Sequence, residues 1–174
     1  MTPVAILSLL VFRSAPKAGS LWAAAGLALS ALADGVIEWS FLGGLVIFLL
    51  AHLFYIAAFV AVERRGRFSR LVPVALWAAV VLPLIVSRAG ALGAPVLIYG
   101  LVIFTMIWRA AAAASFSGWN ASVMGLCGAL LFGLSDSLLG YSRFVGPLPG
   151  SRLLVLGTYW SAQALIAASF TRGR

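Results

Sequence analysis

Apolar residues fill this chain in runs of about eleven to twenty-two, and the polar residues fall almost wholly between the runs. At ~1.5 Å rise per residue, about twenty helical residues cross a hydrocarbon core. The pattern predicts seven segments punctuated by Arg, Pro and Gly. The first, Thr2–Phe12, is short for a span and stops at Arg13; it is a partial helix or the remnant of a longer N-terminus. The second runs from about Lys17 to Ile37 and the third covers Leu42–Val62. The fourth, Leu71–Ser87, has Pro73 in its first turn and Pro83 near its end. The fifth, Leu92–Ala113, the sixth, Trp119–Gly140, and the seventh, Leu153–Phe170, complete the set. No polar stretch exceeds a short loop. The expected fold class is therefore all-α: a polytopic membrane helix bundle of about seven transmembrane helices, one domain over residues 1–174.

Two polar residues interrupt this pattern in matching ways. GALLFGLSDSLLGY, Gly128–Tyr141, holds Asp136 inside an otherwise apolar helix, and GLALSALADGVIEW, Gly26–Trp39, holds Asp34. A carboxylate inside a membrane span costs ~2.5–3.5 kcal/mol on insertion scales, so its presence asks for a reason. Laid over each other without a gap, Gly26 meets Gly128, Leu29 meets Leu131, Leu32 meets Leu134 and Asp34 meets Asp136. Ser40 then falls on Ser142 and Gly44 on Gly146. A weaker match follows, AHLFYIAAF (Ala51–Phe59) against AQALIAASF (Ala162–Phe170), which pairs His52 with Gln163 across a longer second connection. Its three identities in nine positions are all Ala or Phe. The expectation is a weak tandem repeat with an acid in each copy.

Composition agrees with the pattern: 63% of residues are hydrophobic and 9% charged, with a mean hydropathy of +1.11. Soluble domains carry about 25% charged residues. A net charge of +8 would point to nucleic acid in a soluble chain. Here the basic residues sit between apolar runs, where they set topology, and no nucleic-acid partner is expected. Arg13 and Lys17, then Arg64, Arg65, Arg67 and Arg70, then Arg109, and finally Arg172 and Arg174 all fall on one side of a seven-span bundle. Arg88, Arg143 and Arg152 fall on the other. The positive-inside rule places the N-terminus out and the C-terminus in the cytoplasm, in a bacterial inner (plasma) membrane. Both acids then lie about one turn from the outer end of their helices, at one depth. The first residues lack the basic region of a cleavable signal peptide. Cys127, alone in an apolar helix, reads as a packed thiol. The tryptophans lie mostly near span ends, as an interfacial belt requires.

Asp34 and Asp136 are the candidate catalytic pair. Two carboxyls sharing a low-dielectric cavity cannot both ionise easily, so the pair holds one proton near neutrality and supplies an acid and a base together. Candidate substrate-binding residues are His52, Tyr55, Tyr99, Ser135, Tyr159 and Gln163. His52 and Tyr55 are one turn apart on one face, as are Tyr159 and Gln163. Ser135, beside Asp136, is a candidate hydrogen-bond partner for it; no GxSxG setting marks it as a nucleophile. One histidine and no usable cysteine set argue against zinc, and no metal or other cofactor is expected, although an Asp–Asp–His ligand set stays open at this point.

Phe48–Phe59, FLLAHLFYIAAF, Gly128–Leu139, GALLFGLSDSLL, and Tyr159–Ala167, YWSAQALIA, together resemble the YhhN family, which includes membrane-embedded lysoplasmalogenases. The resemblance runs from about Pro3 to Phe170, with three blocks in order. Asp34 matches the family's Gly-Asp position, although Ala33 stands where glycine is usual, and fuller family members have eight spans. What the resemblance implies is hydrolysis of the vinyl ether bond of lysoplasmalogen to a fatty aldehyde and a glycerophospho-alcohol. The implied partners are a lysophospholipid substrate and the bilayer. Such chemistry needs an acid and a carboxylate, as glycoside hydrolysis does. The competing expectation is a small proton-coupled transporter, in which the same acids are proton sites within a parallel repeat.

Overall fold

The computed structural model describes residues 2–14 and 18–171. Lys17, Arg172 and Arg174, part of the orientation argument, lie outside the described residues. Every regular element among the described residues is helical. The helices are α1 (Thr2–Arg13), α2 (Ser20–Val36), α3 (Phe41–Val62), α4 (Leu71–Val86), α5 (Gly93–Ala113), α6 (Ala121–Gly140) and α7 (Ser151–Thr171). Five of them are long and apolar enough to cross a membrane, and α1 and α2 are shorter. Their starts follow local chemistry. Ser40 precedes α3 and its Oγ accepts from the Gly43 N–H at 3.1 Å. Asn120 precedes α6 and its Oδ1 accepts from the N–H groups of Ser122 and Val123, satisfying donors that a helix N-terminus leaves open. The sixth helix therefore begins two residues later than the hydrophobic pattern predicts, and it also ends later. A π-helical turn, Tyr141–Val145, continues it past Gly140. Asp136 thus stands nine residues before the end of its continuous helix and Asp34 only two before the end of α2. The expected common one-turn spacing does not hold.

Arginines close the opposite end. The Arg70 guanidinium donates to the carbonyls of Ala111 and Ala114 at the end of α5. Arg109, buried, donates to the Glu63 carbonyl at the end of α3. Cations there satisfy orphan carbonyls and meet the negative end of the helix dipole. In the connecting loop the Arg65 N–H donates to the Glu63 carboxylate at 2.9 Å, holding that half-buried acid below its ordinary range.

Packing is closest within two hairpins, α2 with α3 and α6 with α7. The first helix lies against α2 and α7, while α5 packs on α3, α4 and α6. The outer face of α4, with Val72, Leu76 and Val80, stays exposed, as a surface facing acyl chains would be. Both hairpins cross at a glycine. A Cβ on Gly26 would stand 2.6 Å from the Tyr55 ring and 3.1 Å from the Ala51 carbonyl. A Cβ on Gly128 would stand 2.8 Å from Ile166 and 2.9 Å from the Ala162 carbonyl. Gly26 and Gly128, Ala51 and Ala162, and Tyr55 and Ile166 are the pairs that the two sequence alignments match, in agreement with a repeated hairpin plan. Gly128→Ala should therefore lower the Tm in detergent, by the equivalent of about 1–3 kcal/mol. Gly146→Ala is the control, because a Cβ there meets nothing within 4 Å. Equal Tm values for the two variants would contradict the crossing.

Candidate active site

The ends of these helices enclose one large cavity of about 580 Å³, the size of a small-molecule site. Asp34 from α2 and Asp136 from α6 both line it. Its inner wall is apolar, with Leu45, Phe48, Leu82, Ile103 and Phe104. Glu38, Trp39, Arg143 and Phe144 lie toward its mouth, at the end of the bundle carrying the α2–α3 and α6–α7 connections. Among the described residues no three of His, Cys, Asp or Glu are grouped to hold a metal ion.

Each acid has a tyrosine. On α5 the Tyr99 hydroxyl donates to Asp136 Oδ2 at 2.7 Å. On α7 Tyr159 interacts with Asp34. A second group faces Asp136: His52 Nε2 lies 4.0 Å from the same Oδ2. The other ring nitrogen, Nδ1, is 2.6 Å from the Phe48 carbonyl. A carbonyl only accepts, so Nδ1 carries a proton and donates it there, while Nε2 is the ring nitrogen that faces Asp136. Behind Asp34 runs a line of buried polar groups. Ser30 Oγ and the Tyr55 hydroxyl share a hydrogen bond at 3.1 Å, and Tyr55 donates to Gln163 Oε1 at 2.8 Å. Gln163 in turn lies beside Tyr159. Burial makes such connections obligatory, since an unmet polar group in hydrocarbon costs several kcal/mol.

The structure places Tyr99, Ser135 and Tyr159 on the cavity wall with both acids. His52, Tyr55 and Gln163 do not line it; all three are fully buried below it. The reason is an aromatic hub that single-helix spacing does not reveal. Phe132 packs edge-on to His52 at 4.6 Å and to Tyr159 at 5.4 Å between centroids, and Tyr55 tilts against it at 6.3 Å. The shared face of His52 and Tyr55 turns toward that hub. Ser135 does not bond Asp136. It donates across to the Val155 carbonyl of α7 at 3.0 Å, because successive helical residues point to different sides. Four residues near the site carry no function in the pattern-based reading: Glu38, Phe41, Phe132 and Arg143. Arg143 was visible only as a topology charge, and its i, i+7 spacing from Asp136 was the available signal.

Comparison with known proteins gives a consistent picture. The YhhN family profile matches residues 1–170. The chain is 37% identical to "Lysoplasmalogenase TMEM86B" of Sus scrofa, across 96% of this chain and 72% of that protein. It is 35% identical to the protein of that name from Homo sapiens, across 82% of this chain and 60% of the relative. Identity to "Lysoplasmalogenase" of Mycobacterium bovis is 33%, across 88% and 61% respectively. No solved structure matches. With nearly its whole length matched, the chain belongs to the YhhN family.

Proposed function

We propose that this integral membrane protein is an enzyme of the lysoplasmalogenase type, hydrolysing the vinyl ether bond of a lysophospholipid with Asp34 and Asp136 as acid and base. One observation carries the reading: two carboxyls from otherwise apolar segments line a single, mostly apolar cavity. The names of the relatives support the substrate class.

The chemistry asks little more than this. One carboxyl delivers a proton to the outer vinyl carbon, whose π electrons form the new C–H bond and leave an oxocarbenium ion. The other, as carboxylate, stabilises that cation and takes a proton from the attacking water. The resulting hemiacetal breaks its C–O bond as a proton passes to the departing glycerol oxygen, giving a fatty aldehyde and a glycerophospho-alcohol. Atoms and charge balance with water as the only co-reactant. Paired carboxyls do comparable work on glycosidic bonds. The alkenyl chain lies along the apolar inner wall, or leaves between helices, while the bond stays near the mouth.

Hydrolysis in D₂O tests the protonation step. The aldehyde, reduced as it forms, should carry one deuterium on the carbon next to the former carbonyl. Aldehyde without that deuterium would contradict carbon protonation. Orientation is part of the proposal: the cavity mouth faces the outer leaflet and the arginine-closed end the cytoplasm. A reporter fused after Arg174 should read cytoplasmic, and a periplasmic signal would reverse the assignment.

A further inference from the structure

We propose that Arg143 anchors the phosphate of the lysophospholipid at the cavity mouth and sets which bond reaches the acids; this rests on the function proposed above. Among the described residues Arg143 is the one cation lining the cavity. It has no carboxylate within ion-pair distance among them, although Glu38 stands on the same rim. Its guanidinium carbon lies 5.2 Å from the centre of the Phe41 ring. That stacking orients the planar group while leaving its N–H edge for a ligand. Guanidinium matches a phosphate with two parallel hydrogen bonds, the geometry in which arginine exceeds lysine.

Spacing supports the assignment. Arg143 follows Asp136 by seven residues on one continuous helix, and both line the cavity. Their backbones are separated by ~10 Å along the axis, while phosphorus and the vinyl ether carbon of a lysoplasmalogen are separated by about six bonds. The flexible arginine side chain closes the difference. The π-helical turn matters here, because it carries Arg143 beyond Gly140 on the cavity side. Single π-turns recur at functional sites for this kind of reason.

The test is equilibrium binding of a radiolabelled 1-O-alkyl lysophosphocholine, which lacks the cleavable double bond, to the purified full chain in detergent. Arg143→Gln should weaken binding roughly 10–100-fold, the size expected for charge-assisted hydrogen bonds, and Arg143→Lys should fall between. For 1-O-alkylglycerol, which has no phosphate, wild type and Arg143→Gln should bind alike. In turnover the same variant should raise KM far more than it lowers kcat. An equal loss for both ligands would reduce Arg143 to shaping the mouth and overturn the proposal, as would no loss for either. Displacement of the lipid by inorganic phosphate at equal concentration would assign Arg143 to a free anion and also overturn it. Arginine-dependent lipid binding with no aldehyde from a vinyl ether lysolipid would uphold the anchor and end the hydrolase reading. Aldehyde release with a KM unchanged in Arg143→Gln would do the reverse.

Discussion

Asp34→Asn and Asp136→Asn should each lower aldehyde release at least ~10³-fold, about 4 kcal/mol of lost transition-state stabilisation. Asparagine keeps the size of the side chain and an oxygen that can accept the Tyr99 hydroxyl, now 2.7 Å from Asp136. The fold and lipid binding should therefore survive. What disappears is the acid in one variant's role and the base in the other's. Because protonation and water attack need both groups, the double variant should be little worse than either single one. For the same reason wild-type activity should fall on both sides of a pH optimum. Multiplicative losses would mean two independent contributions rather than a pair. Retention of half the activity in either single variant would remove that residue from the mechanism.

His52→Asn should cost ~10²–10³-fold in kcat with little change in KM, within the usual range for a general acid–base participant. His52 Nδ1 is fixed on the Phe48 carbonyl at 2.6 Å, while Nε2 faces Asp136 at 4.0 Å. An asparagine amide can replace the first bond but presents nothing where Nε2 stands. His52→Phe keeps the ring against Phe132, centroids now 4.6 Å apart, but loses both nitrogens. If His52 served packing alone, His52→Phe would be nearly active and His52→Asn impaired through a lower Tm. If it positions the Asp136 proton, both should be slow, with His52→Asn having a near-normal Tm. Since His52 does not line the cavity, a large KM increase in either would contradict the geometry.

Much of the architecture was legible in the hydrophobic pattern. Six of the seven segments match their helices within about three residues at each end, because the interruptions are strong local signals. Ser40 and Asn120 accept backbone N–H groups, and the Glu63–Arg70 loop carries charges no membrane helix would hold mid-span. The sixth helix runs on past Gly140, the end that the hydrophobic pattern predicts. Glycine is tolerated inside helices, and a π-turn absorbed Tyr141–Val145. The acids were legible for a different reason: a carboxylate in an apolar run is costly wherever the run packs. The cavity floor was not legible. Spacing puts His52 and Tyr55 on one face, yet which neighbour that face meets depends on Phe132 in a helix about eighty residues away. The tandem repeat was faint in identities because what recurs is close packing, with Gly26 on Ala51 and Gly128 on Ala162. Close approach requires small residues, and in an alanine-rich chain small residues stand out little.

The proposed function is hydrolysis of a vinyl ether in this cavity, not movement of a proton-coupled solute. Purified full-length protein, reconstituted in liposomes with a 1-alkenyl lysophospholipid, tests it by product analysis. Hydrolysis requires one fatty aldehyde and one glycerophospho-alcohol for every vinyl ether consumed, with no aldehyde from the Asp34→Asn/Asp136→Asn protein. No aldehyde or other hydrolysis product from any lysolipid, together with proton-linked uptake into the same proteoliposomes, would contradict it.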